Sequence, residues 1–356
     1  MADRFWVGGT DSWNGTAGSK WSTTSGGAGG SAEPTAADDV KLDGNSGTGT
    51  TTIATIDAEC RSFITTGYTG TFTINRSLSI GDGTVGNFTL GSGMTFNGQS
   101  FRVISFKSTV GTNNVTTNGI AIPCQVNFDG IGGTWQLQDA ITVNGDVNSI
   151  SVTNGTLNTN GVTVTALNFV VPGGTLTLGA SSISLTTTST VWNVATGATL
   201  NSNTSTINIT DTSATAKTII LGGKTYNNMS ITSGGTGVVT FSGATANTFN
   251  TLTLAGPKSV RFVAGQTQTF TSFVADGTAG NLVTIDSSLA GTAATYSDAA
   301  GTNALTYCSL QDFAATGGAT WTAASSTNVS GNSGITFLVV GGGSTTTSTA
   351  MLVGVG

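Results

Sequence analysis

A short apolar pattern that returns along the chain limits the possible folds more than any other feature. The stretch GTLNTNGVTV (155–164) is followed by GTLTLGASSI (174–183) and ATLNSNTSTI (198–207). In each copy a leucine precedes a β-branched residue by seven positions. A solenoid requires internal repeats and a β-sandwich does not, so the three copies favour a solenoid.

Coils of roughly 19–24 residues would align the repeated side chains into two inward ladders. The leucines would form one ladder, and the β-branched residues would form the other on a different face. The two predicted ladders are Leu157–Leu176–Leu200 and Val164–Ile183–Ile207. Short runs such as TFTIN (71–75) and FRVISF (101–106) alternate apolar and polar residues, which is the strand pattern.

The composition predicts an all-β protein. Charged residues make up 8% of the 356 residues, and the chain contains 52 glycines and no histidine. Threonine, valine and isoleucine favour pleated, half-buried backbone, while glycine and asparagine favour turns. A disordered chain would be richer in charge and poorer in β-branched residues.

The charge pattern argues against a nucleic-acid partner. The net charge is −6, and the basic residues Arg4, Lys20, Lys41 and Arg61 lie far apart in sequence. They therefore predict no basic patch.

No targeting or membrane segment is predicted. The start MADRFWVGGT has no charged region followed by an apolar stretch, so no secretory signal is expected. The most apolar late segment, ITFLVVGGG, is too short to span a membrane and indicates a buried strand.

The three cysteines predict neither a metal site nor a disulfide framework. Cys60, Cys124 and Cys308 are odd in number and more than 60 residues apart. We interpret them as small core residues of a chain made in a reducing compartment.

Both ends of the chain differ from the middle. Residues 1–45 contain Trp6, Trp13 and Trp21, which we expect to cap the first coil because a stack of coils exposes its core there. The alternative is that these tryptophans form a stacking platform for sugar rings.

The remaining segments follow from this division. Residues 46–340 are predicted to form the solenoid, closing near Trp321–Phe337. Residues 341–356, a linker-like run followed by a short apolar peg, are predicted to contact another subunit.

Two passages carry a resemblance to a known group of proteins. Residues 4–43 (RFWVGG…PTAADDVKLD) and segments of residues 220–337, such as ATGGATW and GITF, resemble the first and last coils of β-helical proteins encoded by bacteriophages and found on bacterial surfaces. The resemblance implies a right-handed parallel β-helix with a structural or attachment role. It also implies a trimer, and we expect subunit contacts at strands Thr71–Gly91 and at the chain ends.

Some phage spikes with this fold cleave polysaccharides, which generally requires two carboxylates roughly 5–10 Å apart. Asp38 and Asp39 are adjacent, so a strand would direct them to opposite faces. Asp139 and Asp146 flank the predicted strand 140–144 and could line a shallow groove, although turn residues are the simpler interpretation. The chain has only two glutamates, Glu33 and Glu59.

Other catalytic or cofactor-binding constellations are missing from the sequence. Lyases of this fold use basic residues beside calcium-binding carboxylates, and no Asp-x-Asp cluster accompanies the few basic residues of the second part of the chain, which are Lys107, Lys217, Lys224, Lys258 and Arg261. The run GGAGGS (26–31) lacks the lysine of a phosphate loop. We therefore predict no catalytic, cofactor or metal site.

These observations predict a non-enzymatic structural protein of the bacteriophage virion surface, as a capsid decoration or a component of a tail fibre or spike. The expected partners are copies of itself, other capsid or tail proteins, and a host-surface glycan. The alternatives are a glycan-depolymerising tailspike and a bacterial adhesin.

Overall fold

The computed structural model describes residues 2–14, 20–146, 148–187, 189–233, 235–243 and 245–338. Throughout these residues the chain consists of strands and turns, and no helix there is long and apolar enough to cross a membrane. The strands wind into a β-solenoid of about 13 turns. The prediction of an all-β parallel β-helix is thus confirmed. The predicted tail at 341–356 lies outside the described residues.

The strands stack in three columns, which form three faces of the solenoid. Face 1 contains Asp3–Trp6, Asp39–Lys41, Ser62–Ile64, Phe88–Thr89, Thr112–Thr116, the second halves of Gln125–Leu137 and Ile150–Asn158, Thr175–Thr177, Thr199–Asn201, the first halves of Thr225–Ile231, Asn247–Ala255 and Thr267–Asp276, Ala294–Asp298 and Phe313–Gly317. Face 2 contains Asp11–Ser12, Thr50–Ile53, Thr71–Ile74, Thr95–Gly98, Ile141–Val143, Val164–Ala166, Ser182–Leu185, Thr206–Ile209, the second halves of Thr225–Ile231, Asn247–Ala255 and Thr267–Asp276, Thr302–Thr306, Thr320–Ala324 and Thr336–Leu338. Face 3 contains Ala58–Cys60, Leu78–Ile80, Val103–Phe106, the first halves of Gln125–Leu137 and Ile150–Asn158, Phe169–Val171, Thr190–Val194, Lys217–Ile220, Val239–Ser242, Lys258–Phe262, Val283–Ser287, Cys308–Gln311 and Thr327–Ser330.

Both ladders predicted from the repeat are present, on different faces. On face 1, Leu157 pairs with Leu176 and Leu176 with Leu200. On face 2 the ladder Val164–Ile183–Ile207 continues through Met229 and Leu252 to Phe273. Leu200 is only partly buried, whereas the other members of both ladders are buried.

Strand alternation produces the core and the surface together. Inward positions hold one continuous apolar cluster that extends from Trp6 to Ala323. Aromatic rings stack along it from coil to coil, as in Phe249–Phe270 at 5.5 Å and Tyr296–Phe313 at 3.8 Å. Each coil is therefore stabilised mainly by its neighbours.

Outward positions on face 1 form polar ladders. Five threonines stand in register on successive strands: Thr112, Thr134, Thr156, Thr175 and Thr199. Beside them, amide side chains bond along the stack. Asn158 Nδ2 donates to Gln136 Oε1 at 3.3 Å, and Asn201 Nδ2 donates to Thr177 Oγ1 at 3.0 Å. Hydroxyls and amides thus give the chain a polar surface with little charge.

Tight turns between faces 1 and 2 use the sequence Thr-Asn-Gly. Asn118 and Asn160 adopt φ values of 48° and 54°, a left-handed conformation that asparagine tolerates. Their side chains reach across to the preceding coil, where they donate to the carbonyl oxygens of Leu90 and Leu137. These turns therefore both reverse the chain and connect two coils.

The N-terminal end of the solenoid is covered by the three tryptophans. Trp6 and Trp21 lie opposite each other on antiparallel strands, and Trp13 packs against Trp21 at 4.9 Å and against Phe63 at 6.2 Å. Each of the three residues is at most 1% exposed. They lie over the first coils as a cap would. The sugar-platform alternative is wrong because no indole face is accessible.

The C-terminal rungs depart from the sequence expectations in two ways. Asn303 pairs with Trp321, and Thr322 pairs with Thr336, so the repeat here is shorter than 19 residues. The turns are shorter in these coils, while the strands stay in register. The segment predicted as a buried strand forms the strand Thr336–Leu338, but Phe337 is half-buried and Leu338 is 46% exposed. Val339 and Val340 lie outside the described residues.

Candidate functional site

A groove on face 3 forms a concave surface among the described residues. Its volume is about 350 Å³, within the range of small-molecule sites. We call it the face 3 groove, and its lining residues are Val103, Gln125, Val126, Asn127, Asn148, Ser151, Thr153, Val170 and Pro172.

The groove arises from the outward residues of four successive strands. Val103 stands in register with Gln125, and Asn127 is in register with Ser151, which in turn is in register with Val170. Polar and apolar side chains therefore lie side by side in the groove. Thr153 Oγ1 donates to Asn127 Oδ1 at 2.7 Å, which orients the amide.

Two turns meet at one end of the groove. The carbonyl oxygen of Ser100 accepts the N–H of Asp146 at 3.0 Å, and the Ser100 hydroxyl donates to the Asp146 carboxylate at 3.1 Å. Asn148, in the left-handed conformation at φ 60°, lines the groove from the second turn. This connection fixes the position of the groove edge.

The first of these turns presents an exposed aromatic ring. Phe101 is 56% exposed, and it precedes the groove residue Val103 by two positions. The guanidinium of Arg102 lies 4.7 Å from the ring centroid, and its Nε donates to Gln99 Oε1 at 3.1 Å. The cation–π contact holds the ring in place while leaving much of it accessible.

The structure assigns the flanking aspartates Asp139 and Asp146 to different turns. The Asp139 carboxylate accepts the N–H groups of Thr117 and Asn118 in the preceding coil, whereas Asp146 bonds Ser100. These bonds agree with the turn-residue interpretation. The two carboxylates do not line one groove together.

Asp38 and Asp39 are also engaged in structure. Burial by itself would raise the pKa of Asp38, but hydrogen bonds from Thr35 and Ala2 and the nearby charge of Arg4 lower it overall. Asp39 pairs with Arg61. Among the described carboxyls with a shifted pKa, namely Asp11, Asp38 and Asp211, every shift is downward. A glycosidase acid requires the opposite shift.

The basic residues of the first coils are closer in space than in sequence. Strand pairing aligns Arg4 with Val40 and Phe5 with Lys41, so Arg4 and Lys41 lie on adjacent strands. The acidic neighbours are close: Lys41 Nζ lies 2.7 Å from Asp3, Lys20 Nζ lies 3.0 Å from Asp11, and Arg4 lies 3.9 Å from Asp38. The acidic neighbours balance the cations, so this end is not a basic patch.

All three cysteines are buried with free thiols. Burial raises the pKa of Cys124 and of Cys308 to about 12. Burial and the charges of Asp39 and Glu59 raise the pKa of Cys60 well above its ordinary value, despite the adjacent Arg61. A protonated thiol is a poor nucleophile, which agrees with the core interpretation.

Sequence reasoning missed a buried charge cluster at the corner between faces 2 and 3. Lys217 Nζ lies 2.6 Å from Asp211 Oδ2, with the lysine side chain fully buried. Lys258, 3% exposed, donates to the carbonyl oxygen of Gly235 in the preceding coil. The signal was available, because Lys217 and Lys258 fall in phase with the inward apolar residues of KTII and KSVRF.

Comparison with protein-family models, with curated proteins and with solved structures finds no match for this chain. The resemblance to phage and bacterial-surface proteins therefore extends only to the β-solenoid fold, which the structure shows. Within the described residues, no group of three or more histidine, cysteine or acidic residues is placed to hold a metal ion.

Proposed function

We propose that this chain is a non-enzymatic structural protein of a bacteriophage surface, as a capsid decoration or as part of a tail fibre or spike. The observation that carries the proposal is the single core that runs through about 13 coils under the tryptophan-covered end. At ~4.8 Å per coil the rod is roughly 60 Å long. Such a rod suits projection or lattice contacts outside a cell.

The chemistry of the surface supports a structural role over catalysis. Each of the four aspartates that the sequence singled out is engaged: Asp139 accepts turn backbone N–H groups, Asp146 accepts the Ser100 hydroxyl, and Asp38 and Asp39 pair with arginines. The pKa of Asp38 is lowered overall, whereas the acid in glycoside hydrolysis has a raised pKa. By the resemblance, the proposed assembly is a homotrimer that contacts other virion proteins.

Cryo-electron microscopy of the particle that carries this chain tests the proposal. Density arrayed with the lattice symmetry of the shell would indicate decoration, and density in projecting fibres or at the tail tip would indicate attachment. A chain found on no particle would contradict the proposal and favour the adhesin.

Incubation of the purified protein with capsular polysaccharide tests the absence of catalysis. We expect no new reducing ends and no unsaturated sugars over prolonged incubation. Release of either product would overturn the non-enzymatic assignment in favour of a depolymerising tailspike.

A further inference from the structure

We propose that the face 3 groove binds an uncharged, linear polysaccharide, with the Phe101 ring as a stacking surface at one end. This proposal goes beyond the structural role, since a particle component need not bind sugar. It rests on the shape of the groove, the polarity of its lining and the position of Phe101.

The groove is built for an extended ligand. Its lining comes from four successive coils, from Val103 on the first to Pro172 on the last. Neighbouring parallel strands lie ~4.8 Å apart, so the lining spans roughly 15 Å. Three to four linked sugar rings fit this length better than a single compact molecule does.

The lining favours an uncharged ligand because it contains no ionisable side chain. The carboxylates around it already accept hydrogen bonds, and the one cation beside it among the described residues lies at the end of the groove. The Asp129 carboxylate accepts Asn154 Nδ2 at 2.7 Å, Asp146 accepts the Ser100 hydroxyl, and Arg102 covers Phe101. Along the lining an acidic polysaccharide would meet no cation, since Arg102 lies only at the groove end, and desolvation of its carboxylates would weaken binding.

The available hydrogen-bonding groups suit hydroxyls rather than a peptide backbone. The strands beneath the groove pair with each other, so its floor offers no unpaired strand edge for an added peptide strand. Recognition would come from side-chain amides and hydroxyls, namely Gln125, Asn127, Ser151 and Thr153. Among the described residues, the side-chain amide of Gln125 makes no hydrogen bond, and the side-chain amide of Asn127 uses only its oxygen.

The apolar part of the lining completes the match. Val103, Val170 and Pro172 offer C–H surface beside the amides, and the exposed Phe101 ring lies at the end where the two turns meet. A pyranose has a similar division into hydroxyl edges and C–H faces. Both kinds of surface are therefore available to one ligand.

The test uses the full-length purified chain on an array of defined linear oligosaccharides, neutral and acidic, followed by calorimetry with the strongest neutral ligand. We expect neutral glycans to bind and acidic analogues of equal length to bind at least tenfold more weakly. Preference for acidic glycans, or no neutral binding across the array, would overturn the proposal.

Variants locate the binding surface. Asn127→Ala together with Thr153→Val removes an amide and its orienting hydroxyl, and we expect a roughly tenfold or greater loss of affinity. Phe101→Ala should lower the affinity for the neutral glycan several-fold. Asn208→Ala, an outward amide on face 2, serves as the matched control and should bind as the unmodified chain does.

Each variant is first compared with the unmodified chain by its melting temperature, so that a folding defect is distinguished from a binding defect. If the groove variants fold and bind normally while the array still shows a ligand, the groove is not the site. The position of the chain on a particle does not enter this assay, so the two proposals fail independently.

Discussion

At the residue scale, the inward lysines are the least expected feature of the molecule. Burial by itself would raise the pKa of Asp211, but hydrogen bonds from Lys217 and Ser213 and the charge of Lys217 lower it overall. The Asp211 carboxylate also accepts the N–H and hydroxyl of Ser213, at 3.1 and 2.7 Å. The pair thus fixes the turn that precedes strand Lys217–Ile220.

Removing one member of the buried Lys217–Asp211 pair should lower the free energy of unfolding much more than removing one member of an exposed pair. We expect Lys217→Met to destabilise the fold by roughly 3–5 kcal/mol, because it leaves the Asp211 carboxylate without its cation. Arg261→Met breaks the more exposed pair with Asp286 and should cost less than about 1 kcal/mol. Urea unfolding of both variants measures the difference, and equal losses would contradict it.

Lys258 should make stability rise with pH as the pH approaches 10.5 from below. Burial, with the positive charge of Lys217, lowers the pKa of Lys258 from 10.5, and Asp211 offsets part of this effect. Between the folded-state pKa and 10.5 the unfolded chain binds more protons, so the free energy of unfolding increases as pH rises through that interval. Lys258→Met should remove this slope, as urea unfolding at successive pH values would show. If the unfolding free energy of the variant still rises with pH to the same extent, other groups cause the rise.

Asp139 and Asp146, the two flanking aspartates, should contribute differently to the stability of the fold. Asp139→Ala removes a charged acceptor of backbone N–H groups at Thr117 and Asn118, and we expect a loss of roughly 1.5–3 kcal/mol. Asp146→Ala removes one exposed bond to Ser100 and should change stability by about 0.5 kcal/mol or less. Denaturant unfolding measures both variants, and Asp146→Ala is the control.

At the element scale, the tryptophan-covered end should control the unfolding of the first coils. Strand Trp21–Ser22 runs antiparallel to Asp3–Trp6, so the parallel stacking of face 1 stops there. Trp13 contacts both Trp21 and Phe63 and so connects this end to the coils. A strand edge at this end would otherwise invite pairing with other chains.

Trp13→Ala should therefore open this end of the solenoid. We expect a loss of roughly 3–5 kcal/mol and faster proteolysis within the first coils, because the substitution leaves a large cavity beneath Trp21. Phe101→Ala, at an exposed aromatic residue, is the control. Limited proteolysis with mass spectrometry locates the cuts, and cuts confined to the C-terminal coils would contradict the capping role.

At the scale of the whole molecule, stability should follow from the continuity of the core. Each inner coil shares its apolar surface and its ladder hydrogen bonds with two neighbours, and aromatic contacts recur from Trp6 to Trp321. Repeat proteins of this kind resist local opening except at their ends. The rod should be stable under conditions that unfold ordinary domains.

We expect a melting temperature above the ~45–65 °C of ordinary mesophile domains. Differential scanning calorimetry measures it. A midpoint inside that range would contradict the interpretation of the rod as a durable surface component. A chain truncated after residue 338 keeps the whole apolar core, and its melting temperature provides a comparison.

The sequence by itself determined the β-solenoid, because the repeat and the strand alternation specify which side chains face inward. Leu157–Leu176 and Val164–Ile183 could be paired from spacing alone, and the tryptophan-rich start could be placed at an end. These inferences depend on local periodicity, which can be read from the order of residues alone.

Only the tertiary structure decided where the surface is concave and which charges are buried. The face 3 groove joins residues from Val103 to Pro172, and its edge depends on the contact between Ser100 and Asp146, 46 positions apart. The meeting of Lys258 with Gly235 likewise depends on how turns of different length stack. Turn length varies from coil to coil while strand register persists, so the period predicts the core but not the surface that the turns create.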